Sequence, residues 1–164
     1  MSTKRVLALW DEAGLNARDT SVLRKKSAEL PVPLDKEGRE AVQALVDSFM
    51  ERDDAVGLAA PQIGINKRII VFRVKGFEDG QKKIKDIDDI EVLVNPRITQ
   101  ERGEKVIGAE GCLSCPDVQV EVSRFPEIKV RALDAKGGKV NKKYLDYIAR
   151  VVQHEIDHLD GKLI

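Results

Sequence analysis

The sequence predicts an α+β fold, because a helical segment is followed by a run of strands and then by a second helix. The first helix is predicted over residues 36–52, where apolar side chains recur every three to four positions. Asp35 stands before it as the expected N-cap. Residues 1–34 show no single pattern, and Pro31 and Pro33 near their end predict an extended entry to this helix.

Five runs rich in β-branched and apolar residues predict the strands that follow the first helix. These runs cover residues 68–74, 91–94, 105–107, 118–122 and 128–133. The pair Gly137-Gly138 predicts a tight hairpin turn that leads into a further extended segment at Val140. The charged stretch 75–89 is expected to be a solvated loop.

The last helix is predicted from about Tyr144 to Leu159, where the hydrophobic period becomes helical. Its apolar side is formed by Leu145, Ile148, Val151, Val152 and Leu159. Gly161 is the expected C-terminal stop. Because no Pro-, Gly- or Ser-rich linker divides the chain, residues 1–164 are expected to form a single domain.

Charge and composition argue against several classes of function. Lys plus Arg and Asp plus Glu each number 28, so the net charge is zero and no field of one sign favours nucleic acid or an anionic membrane. No apolar run approaches the roughly 20 residues that span a bilayer. Residues 1–10 lack the apolar stretch of a signal peptide, so a bacterial-type cytoplasmic protein is expected, with an organelle as the alternative.

The strongest motif lies in the last helix, where His154 and His158 stand four residues apart. Residues at positions i and i+4 of a helix share a face, so both imidazoles can bind one metal ion. Glu155 follows the first histidine and is placed to act as a general base on water at that ion. The alternative is two exposed histidines near a helix C-terminus, where positive charge is favourable.

A catalytic site of the zinc type needs a third protein ligand. Downstream of the motif, the candidate is Asp160. Upstream, Cys112 and Cys115 are the only thiols; one thiol would leave a position for water, whereas both would close a structural Cys₂His₂ site. Binding by one thiol is favoured, because Cys115 precedes Pro116 and its distance in sequence from His154 far exceeds that of a zinc finger. A thioredoxin-like role is disfavoured, since no βαβ pattern surrounds the cysteines.

A third segment, residues 57–64, consists of small and apolar residues that allow a backbone to approach a ligand closely. Gln62 within it offers an amide NH₂ group to a developing oxyanion. A structural turn before the strand at residue 68 explains the segment equally well.

Together, these three regions resemble the signature motifs of peptide deformylases. They are G-L-A-A-P-Q-I-G at residues 57–64, E-G-C-L-S at 110–114 and Q-H-E-I-D-H-L-D-G at 153–161. The likeness extends to residues 19–28 and to Arg124, and so covers nearly the whole chain. It implies antiparallel β-sheets packed around a central metal-bearing helix. It also implies removal of the N-formyl group from nascent chains that begin with formylmethionine, and one divalent ion, Fe²⁺, which Zn²⁺ or Ni²⁺ can replace.

The resemblance further implies roles for individual residues. The implied metal ligands are Cys112, His154 and His158. The implied catalytic groups are Glu155 as general acid and base, with Gln62 and the backbone N–H of Leu113 as donors to the oxyanion. The residues expected to flank the bound peptide are Val56, Gly57 and Gly111. Glu110 and Arg124 stand where the family has an ion pair.

Three features depart from the family pattern. Ala55 replaces a glycine and is expected either to crowd the bound peptide or to shift the local turn. Gln119 replaces an arginine near the peptide. The chain ends at Ile164, before a helix that many bacterial members use to dock on the ribosome. Any binding to the ribosome is therefore expected to occur without that helix.

The alternatives for the function remain open. They are a related hydrolase with another N-acylated substrate, a structural Cys₂His₂ metal domain and a zincin-type endopeptidase.

Overall fold

The fold is given by a computed structural model that describes residues 4–75 and 86–164. Its helices are α1 (Ala17–Leu23), α2 (Lys36–Glu51) and α3 (Asp146–Leu159). Its strands are β1 (Trp10–Asp11), β2 (Gly14–Leu15), β3 (Gly57–Ala59), β4 (Ile69–Arg73), β5 (Ile90–Arg102), β6 (Val106–Cys112), β7 (Cys115–Arg124), β8 (Glu127–Leu133) and β9 (Lys139–Leu145).

Five strands form a sheet in the order β3-β4-β5-β8-β9, and every neighbouring pair in it is antiparallel. β6 and β7 form a separate two-stranded ribbon, and β1 and β2 form a short hairpin. β3 is an edge strand, because among the described residues its outer side has no strand partner. The predicted α+β class with antiparallel sheets is confirmed.

Strand β4 explains how the two long helices pack on the sheet. All five of its residues are buried, and alternate side chains of a strand point to opposite faces. Ile69 and Val71 join the apolar core that includes α2, whereas Ile70 and Phe72 join the core that includes α3. The Phe72 ring also packs edge-on against Tyr144, with ring centroids 5.6 Å apart. α3, which carries both histidines, is therefore held against the sheet by apolar packing.

The prediction of the first long helix is confirmed by α2. The Asp35 carboxylate accepts a hydrogen bond from Gly38 N at 2.8 Å, as expected of an N-cap. The Gly137 turn between β8 and β9 is also confirmed, and Gly137 has a positive φ of 88°. Within the part of the chain that the structure describes, no helix combines the length and apolar character needed to cross a bilayer.

The predicted strands are all present, and three of them extend well beyond the predicted runs. The run at 118–122 lies within β7, which covers Cys115–Arg124. The run at 91–94 belongs to β5, which continues to Arg102, and the run at 105–107 belongs to β6, which continues to Cys112. Of the predicted loop 75–89, residues 76–85 lie outside the described residues, and Ile87–Asp89 forms a short 3₁₀ turn.

The predicted start of the last helix is wrong by two residues. Tyr144 and Leu145 pair with Ile128 and Glu127 in the β8–β9 ladder, so the helix begins only at Asp146. Leu145 is 51% exposed and does not belong to the buried side of the helix. An apolar residue at the end of a strand satisfied the helical period by coincidence.

The sequence did not predict α1, which lies within the mixed first 34 residues and before the extended entry at Pro31 and Pro33. Asn16 caps this helix by accepting a hydrogen bond from Asp19 N at 2.9 Å. The buried Asp19 carboxylate in turn accepts hydrogen bonds from Arg5 and from Ala8 N, and Arg5 lowers the pKa of Asp19. These partners lie before the helix in sequence, so its own hydrophobic period does not reveal what stabilises it.

Gly161 ends α3 as predicted. It has a φ of 75°, and its N–H donates to His158 O at 3.1 Å. The chain beyond the helix also packs tightly here, because a methyl group at Gly161 would meet the carbonyl group of Arg24, with the carbonyl carbon 2.7 Å away. Gly161 is therefore required both by its conformation and by a close backbone approach.

We predict that Gly161→Ala destabilises the protein more than Gly137→Ala does. Both glycines have positive φ, and an alanine in the left-handed region costs about 1–2 kcal/mol at either position. At Gly137 nothing lies within 4 Å of the added methyl group, whereas at Gly161 it meets backbone atoms. Overpacking of this kind adds about 1–3 kcal/mol. Urea unfolding of both variants measures the difference, and equal losses of stability would contradict the close approach.

Candidate metal centre

Three metal-ligating side chains converge where the β6–β7 ribbon meets α3. Cys112 Sγ lies 3.3 Å from His158 Nε2, which lies 3.3 Å from His154 Nε2. The three ligand atoms are all within 4.8 Å of one another. Two ligands bound 2.0–2.3 Å from a tetrahedral ion are separated by about 3.3–3.7 Å. The thiol and the two imidazoles therefore fit one divalent metal ion.

The two histidines are placed by the geometry of α3, since they are four residues apart on one face. His154 Nδ1 contacts Glu110 Oε1 at 2.9 Å, which leaves His154 Nε2 for the metal. Burial lowers the pKa of His158 to about 3 and so favours the neutral imidazole that binds metals. Burial also lowers the pKa of His154, but the hydrogen bond to Glu110 and the negative charges of Glu155 and Glu110 together outweigh burial and raise that pKa overall.

Cys112 is the last residue of β6, and its protonation depends on its surroundings. The neighbouring Cys115 thiol and then burial raise the pKa of Cys112, so the thiolate is unfavourable without a positive charge nearby. Metal binding provides that charge, because the thiolate and not the thiol is the ligand. The chemistry of this donor set thus agrees with its geometry.

The Glu110 carboxylate connects the ribbon to α3. It accepts hydrogen bonds from Arg124 at 2.9 and 3.0 Å and from Arg150 at 2.6 Å, besides its contact with His154. Burial raises the pKa of Glu110, but the hydrogen bonds from His154 and the two arginines outweigh it and keep the group ionised. Arg124 also pairs with Asp157 on α3. The predicted ion pair of Glu110 with Arg124 is confirmed.

Sequence reasoning missed Arg150. Its guanidinium group donates to Glu110 and to the backbone oxygens of Val106 and Val122, and so attaches α3 to both strands of the ribbon. A methyl group at Gly108 would lie 2.9 Å from the guanidinium carbon. The signal was available, because Arg150 precedes His154 by four residues and so lies on the metal-binding face of the helix.

Glu155 is only 4% exposed and lies against β3. A methyl group at Gly57 would be 2.6 Å from Glu155 Oε2, so this glycine makes room for the carboxyl group. Burial raises the pKa of Glu155 to about 7. Among the described residues, its Oε1 has no hydrogen-bond partner. A carboxyl group that titrates near neutrality and has an unpaired oxygen can take up a proton and return it.

Gln62 is held with its amide nitrogen towards Cys112. Its Oε1 accepts a hydrogen bond from Ala59 N at 3.0 Å, and its Nε2 donates to Ser114 Oγ at 3.1 Å. Nε2 is also 3.7 Å from Cys112 Sγ. Because the oxygen is occupied by a backbone donor, the NH₂ group is the end of the amide that faces the centre.

A cavity of about 460 Å³ lies over these groups. Its wall includes most of the predicted site residues, namely Val56, Gly57, Gln62, Gly111, Cys112, Leu113, His154 and Glu155. His158 is buried and contacts Cys112 and His154. The structure therefore brings all of the predicted site residues together in one place.

The other candidate ligands lie elsewhere. Asp160 pairs with Arg68, Oδ1 to Nη2, at 3.0 Å, so the hypothesis of a downstream ligand is wrong. Cys115 is buried next to Cys112, but its sulfur is outside the group of ligand atoms that converge. The closed Cys₂His₂ site is therefore not supported.

Two residues of the cavity wall, Ala55 and Gln119, depart from the family pattern, and their positions differ. Ala55 is buried in the apolar core with α2, and its φ is not positive. Its methyl group is thus a core contact, but Ala55 also borders the cavity, so the expectation that it crowds the peptide or shifts the local turn stays a prediction. Gln119 is exposed on β7 opposite Gly111 and lines the cavity.

Comparison with known proteins agrees with this arrangement. A family model described as polypeptide deformylase matches residues 15–164. A peptide deformylase of Pseudothermotoga lettingae is 40% identical over 144 residues, which are 87% of this chain and 74% of the relative. The crystal structure of a probable peptide deformylase from Synechococcus phage S-SSM7 has a TM-score of 0.77 and 38% identity, covering 98% of this chain and 97% of the other.

A class I type b peptide deformylase from Acinetobacter baumannii, solved with Met-Ala-Ser bound, has a TM-score of 0.79 and 31% identity, covering 99% of this chain and 97% of the other. Similarity of sequence and of structure thus extends over most of the chain and includes the segments that form the metal centre. The chain therefore belongs to the peptide deformylase family, the metal-dependent amide hydrolases that remove the N-formyl group from newly made polypeptides.

Proposed function

We propose that this chain deformylates N-formylmethionyl peptides with the residues that surround the cavity, and that residues 1–164 act as one domain. The observation that carries the proposal is the convergence of three ligand atoms beside a buried carboxyl group that titrates near neutrality. The cellular metal we propose is Fe²⁺, the ion that the family resemblance implies. A mixed thiolate and imidazole set also suits Zn²⁺ and Ni²⁺ as substitutes. The proposed location is the cytoplasm.

The proposed chemistry converts a formyl amide and water into formate and a free amine. When bound to Cys112, His154 and His158, a divalent ion supplies a Lewis acid and lowers the pKa of water. Glu155 accepts a proton from the attacking water at its carboxylate. It then returns this proton to the nitrogen of the departing peptide, so that the group ends the cycle as it began.

Two donors are proposed for the oxygen that gains negative charge during the attack. Gln62 contributes its Nε2–H, which its contact with Ala59 orients towards the centre. Leu113 contributes its backbone N–H from the turn between β6 and β7. Donors that are already in position stabilise an oxyanion without reorganisation, which is the source of their catalytic effect.

The peptide itself is proposed to lie extended between β3 and the ribbon. β3 is an edge strand, so its backbone groups can pair with a further strand. Gly57 on one side and Gly111 on the other have no side chains to obstruct it, and Val56 lies beside them in the cavity wall. The Met-Ala-Ser complex of the Acinetobacter relative supports a short peptide as occupant.

The direct test is release of formate by the anaerobically purified protein, loaded with Fe²⁺, Zn²⁺ or Ni²⁺ in turn. Formyl-Met-Ala-Ser is the substrate and acetyl-Met-Ala-Ser is the matched control, since it adds one methyl group at the reacting carbon. Hydrolysis of the formyl peptide alone supports the proposal. Free Met-Ala-Ser, the product common to both peptides, is measured as well. Faster release of it from the acetyl peptide would favour a hydrolase with another N-acylated substrate. The expected role of the ribosome rests on the sequence and stays a prediction.

We predict that Cys112→Ser and His158→Ala lose the metal, whereas Cys115→Ser retains it. The reason is that one thiolate and two imidazoles fill three positions and leave the fourth for water. Metal content per chain, measured after gel filtration in the presence of a weak chelator, distinguishes the variants. Loss of metal from Cys115→Ser would instead favour the closed structural site.

Glu155→Gln is predicted to keep the metal and to lower kcat by about 10²–10⁴-fold, the usual contribution of a general acid–base group. Glutamine has nearly the same shape but cannot accept the proton. Metal content and kcat for formyl-Met-Ala-Ser are measured on the same sample. Normal turnover in this variant would show that another group takes the proton.

Gly57→Ala is predicted to lower kcat about as much as Glu155→Gln, because the methyl group would occupy the position of the Glu155 carboxyl group. Gly111→Ala is the matched comparison, since the nearest atom to its methyl group is Val118 O at 3.8 Å. Its effect should fall on KM, through the space for the peptide. Steady-state kinetics separate the two variants, and an unchanged kcat in Gly57→Ala would contradict the tight packing of Glu155.

A further inference from the structure

Cys115 has no role in the proposed chemistry, although it lies next to a proposed ligand. It is the first residue of β7 and is directly opposite Cys112, the last residue of β6. Only Leu113 and Ser114 separate the two cysteines, and both cysteines border the cavity. Both are free thiols.

The geometry of the ribbon suits a bond between these two sulfur atoms. Residues directly opposite each other in an antiparallel pair have Cα atoms about 4.5–5.5 Å apart. A disulfide requires a Cα separation of about 4.4–6.8 Å. Opposite side chains of such a pair also project from the same face of the ribbon.

The turn between the two cysteines is held by hydrogen bonds from segments distant in sequence. Ser114 Oγ donates to Leu7 O at 2.7 Å, and Leu9 N donates to Ser114 O at 2.9 Å. Gln62 donates to the same hydroxyl group.

We propose that Cys112 and Cys115 form a reversible disulfide in the presence of peroxide, and that this bond withdraws the thiolate from the metal centre. The inference rests on the proposed role of Cys112 as a ligand. It gives Cys115 the function of a resolving thiol, which the chemistry of deformylation does not require.

The cysteines differ in exposure, and this difference determines which of them peroxide oxidises first. Cys112 is partly exposed in the cavity, whereas Cys115 is 2% exposed, so peroxide reaches Cys112 first. The Cys112 sulfur attacks hydrogen peroxide, the O–O bond breaks, and a sulfenic acid and one water molecule form. The Cys115 sulfur then attacks the Cys112 sulfur, the S–O bond breaks, and a second water carries away the Cys115 proton. Two thiols are thus oxidised to a disulfide while one peroxide is reduced to two waters.

The disulfide would have two consequences for the enzyme. A disulfide sulfur is no longer a thiolate, so only His154 and His158 would remain as ligands and the metal would be released. The bond would also stop oxidation at a stage that a reductant reverses, whereas a sulfenic acid without a partner thiol continues to the irreversible sulfinic and sulfonic acids. Cys115 would therefore protect the ligand that peroxide reaches first.

The test uses the whole chain loaded with Zn²⁺, because this ion has no redox chemistry of its own. Formate release is measured first, which tests the proposed function independently. Equimolar hydrogen peroxide is then added, and free thiols, mass and released Zn²⁺ are followed together. The wild type should lose both thiols and two hydrogen atoms by mass, release its Zn²⁺, and recover thiols and metal binding after dithiothreitol and Zn²⁺ are added.

Cys115→Ser and Cys115→Ala are the matched variants, and each is checked for Zn²⁺ content before peroxide is added. Both should gain oxygen atoms by mass and fail to recover with dithiothreitol. The proposal is overturned if the wild type gains oxygen as the variants do, if the variants recover as fully as the wild type, or if the disulfide joins two chains. If a disulfide formed within the chain without release of Zn²⁺, the proposal that this bond withdraws the Cys112 thiolate from the metal would be wrong.

Discussion

The buried carboxylate of Glu110 is the point at which the ribbon and the metal-binding helix are joined. It receives Arg124 from β7 and Arg150 and His154 from α3, so strands β6 and β7 and the helix all meet at two oxygen atoms. Removing one partner of a buried charge pair is strongly destabilising, at about 3–5 kcal/mol. The separation between Cys112 on the ribbon and the histidines on α3 therefore depends on this group. Glu110 thus helps to fix the position of the third ligand relative to the other two.

A second carboxyl group, Glu155, lies close to the same centre and has the opposite protonation behaviour. Glu110 is buried but surrounded by donors, so its pKa is lowered. Glu155 is buried with few donors, so its pKa is raised to about 7. Two residues of one type thus acquire different tasks from their surroundings alone: one orients a ligand as a permanent anion, and the other can exchange a proton.

The sequence was sufficient for the parts of the site that local spacing determines. His154 and His158 share a helix face wherever that helix lies, and Cys112 was one of only two thiols available to complete the set. What local spacing could not supply was contact between distant segments. Tyr144 and Leu145 fitted a helical period, but pairing with β8 keeps them in a strand. α1 depends on Asp19 and its partners before the helix. The spacing places Arg150 on the metal-binding face of α3, but its partners on the ribbon follow only from the fold.

Two glycines are required because side chains of α3 occupy the space that a larger residue would need. Gly57 on β3 faces the Glu155 carboxyl group, and Gly108 on β6 faces the Arg150 guanidinium group. Neither has a positive φ, so neither is explained by the conformation of its own backbone. Each instead provides the volume into which a charged side chain of α3 extends. The helix thus approaches the sheet and the ribbon closely enough for its polar groups to be buried at both, while Cys112 remains partly exposed to the cavity.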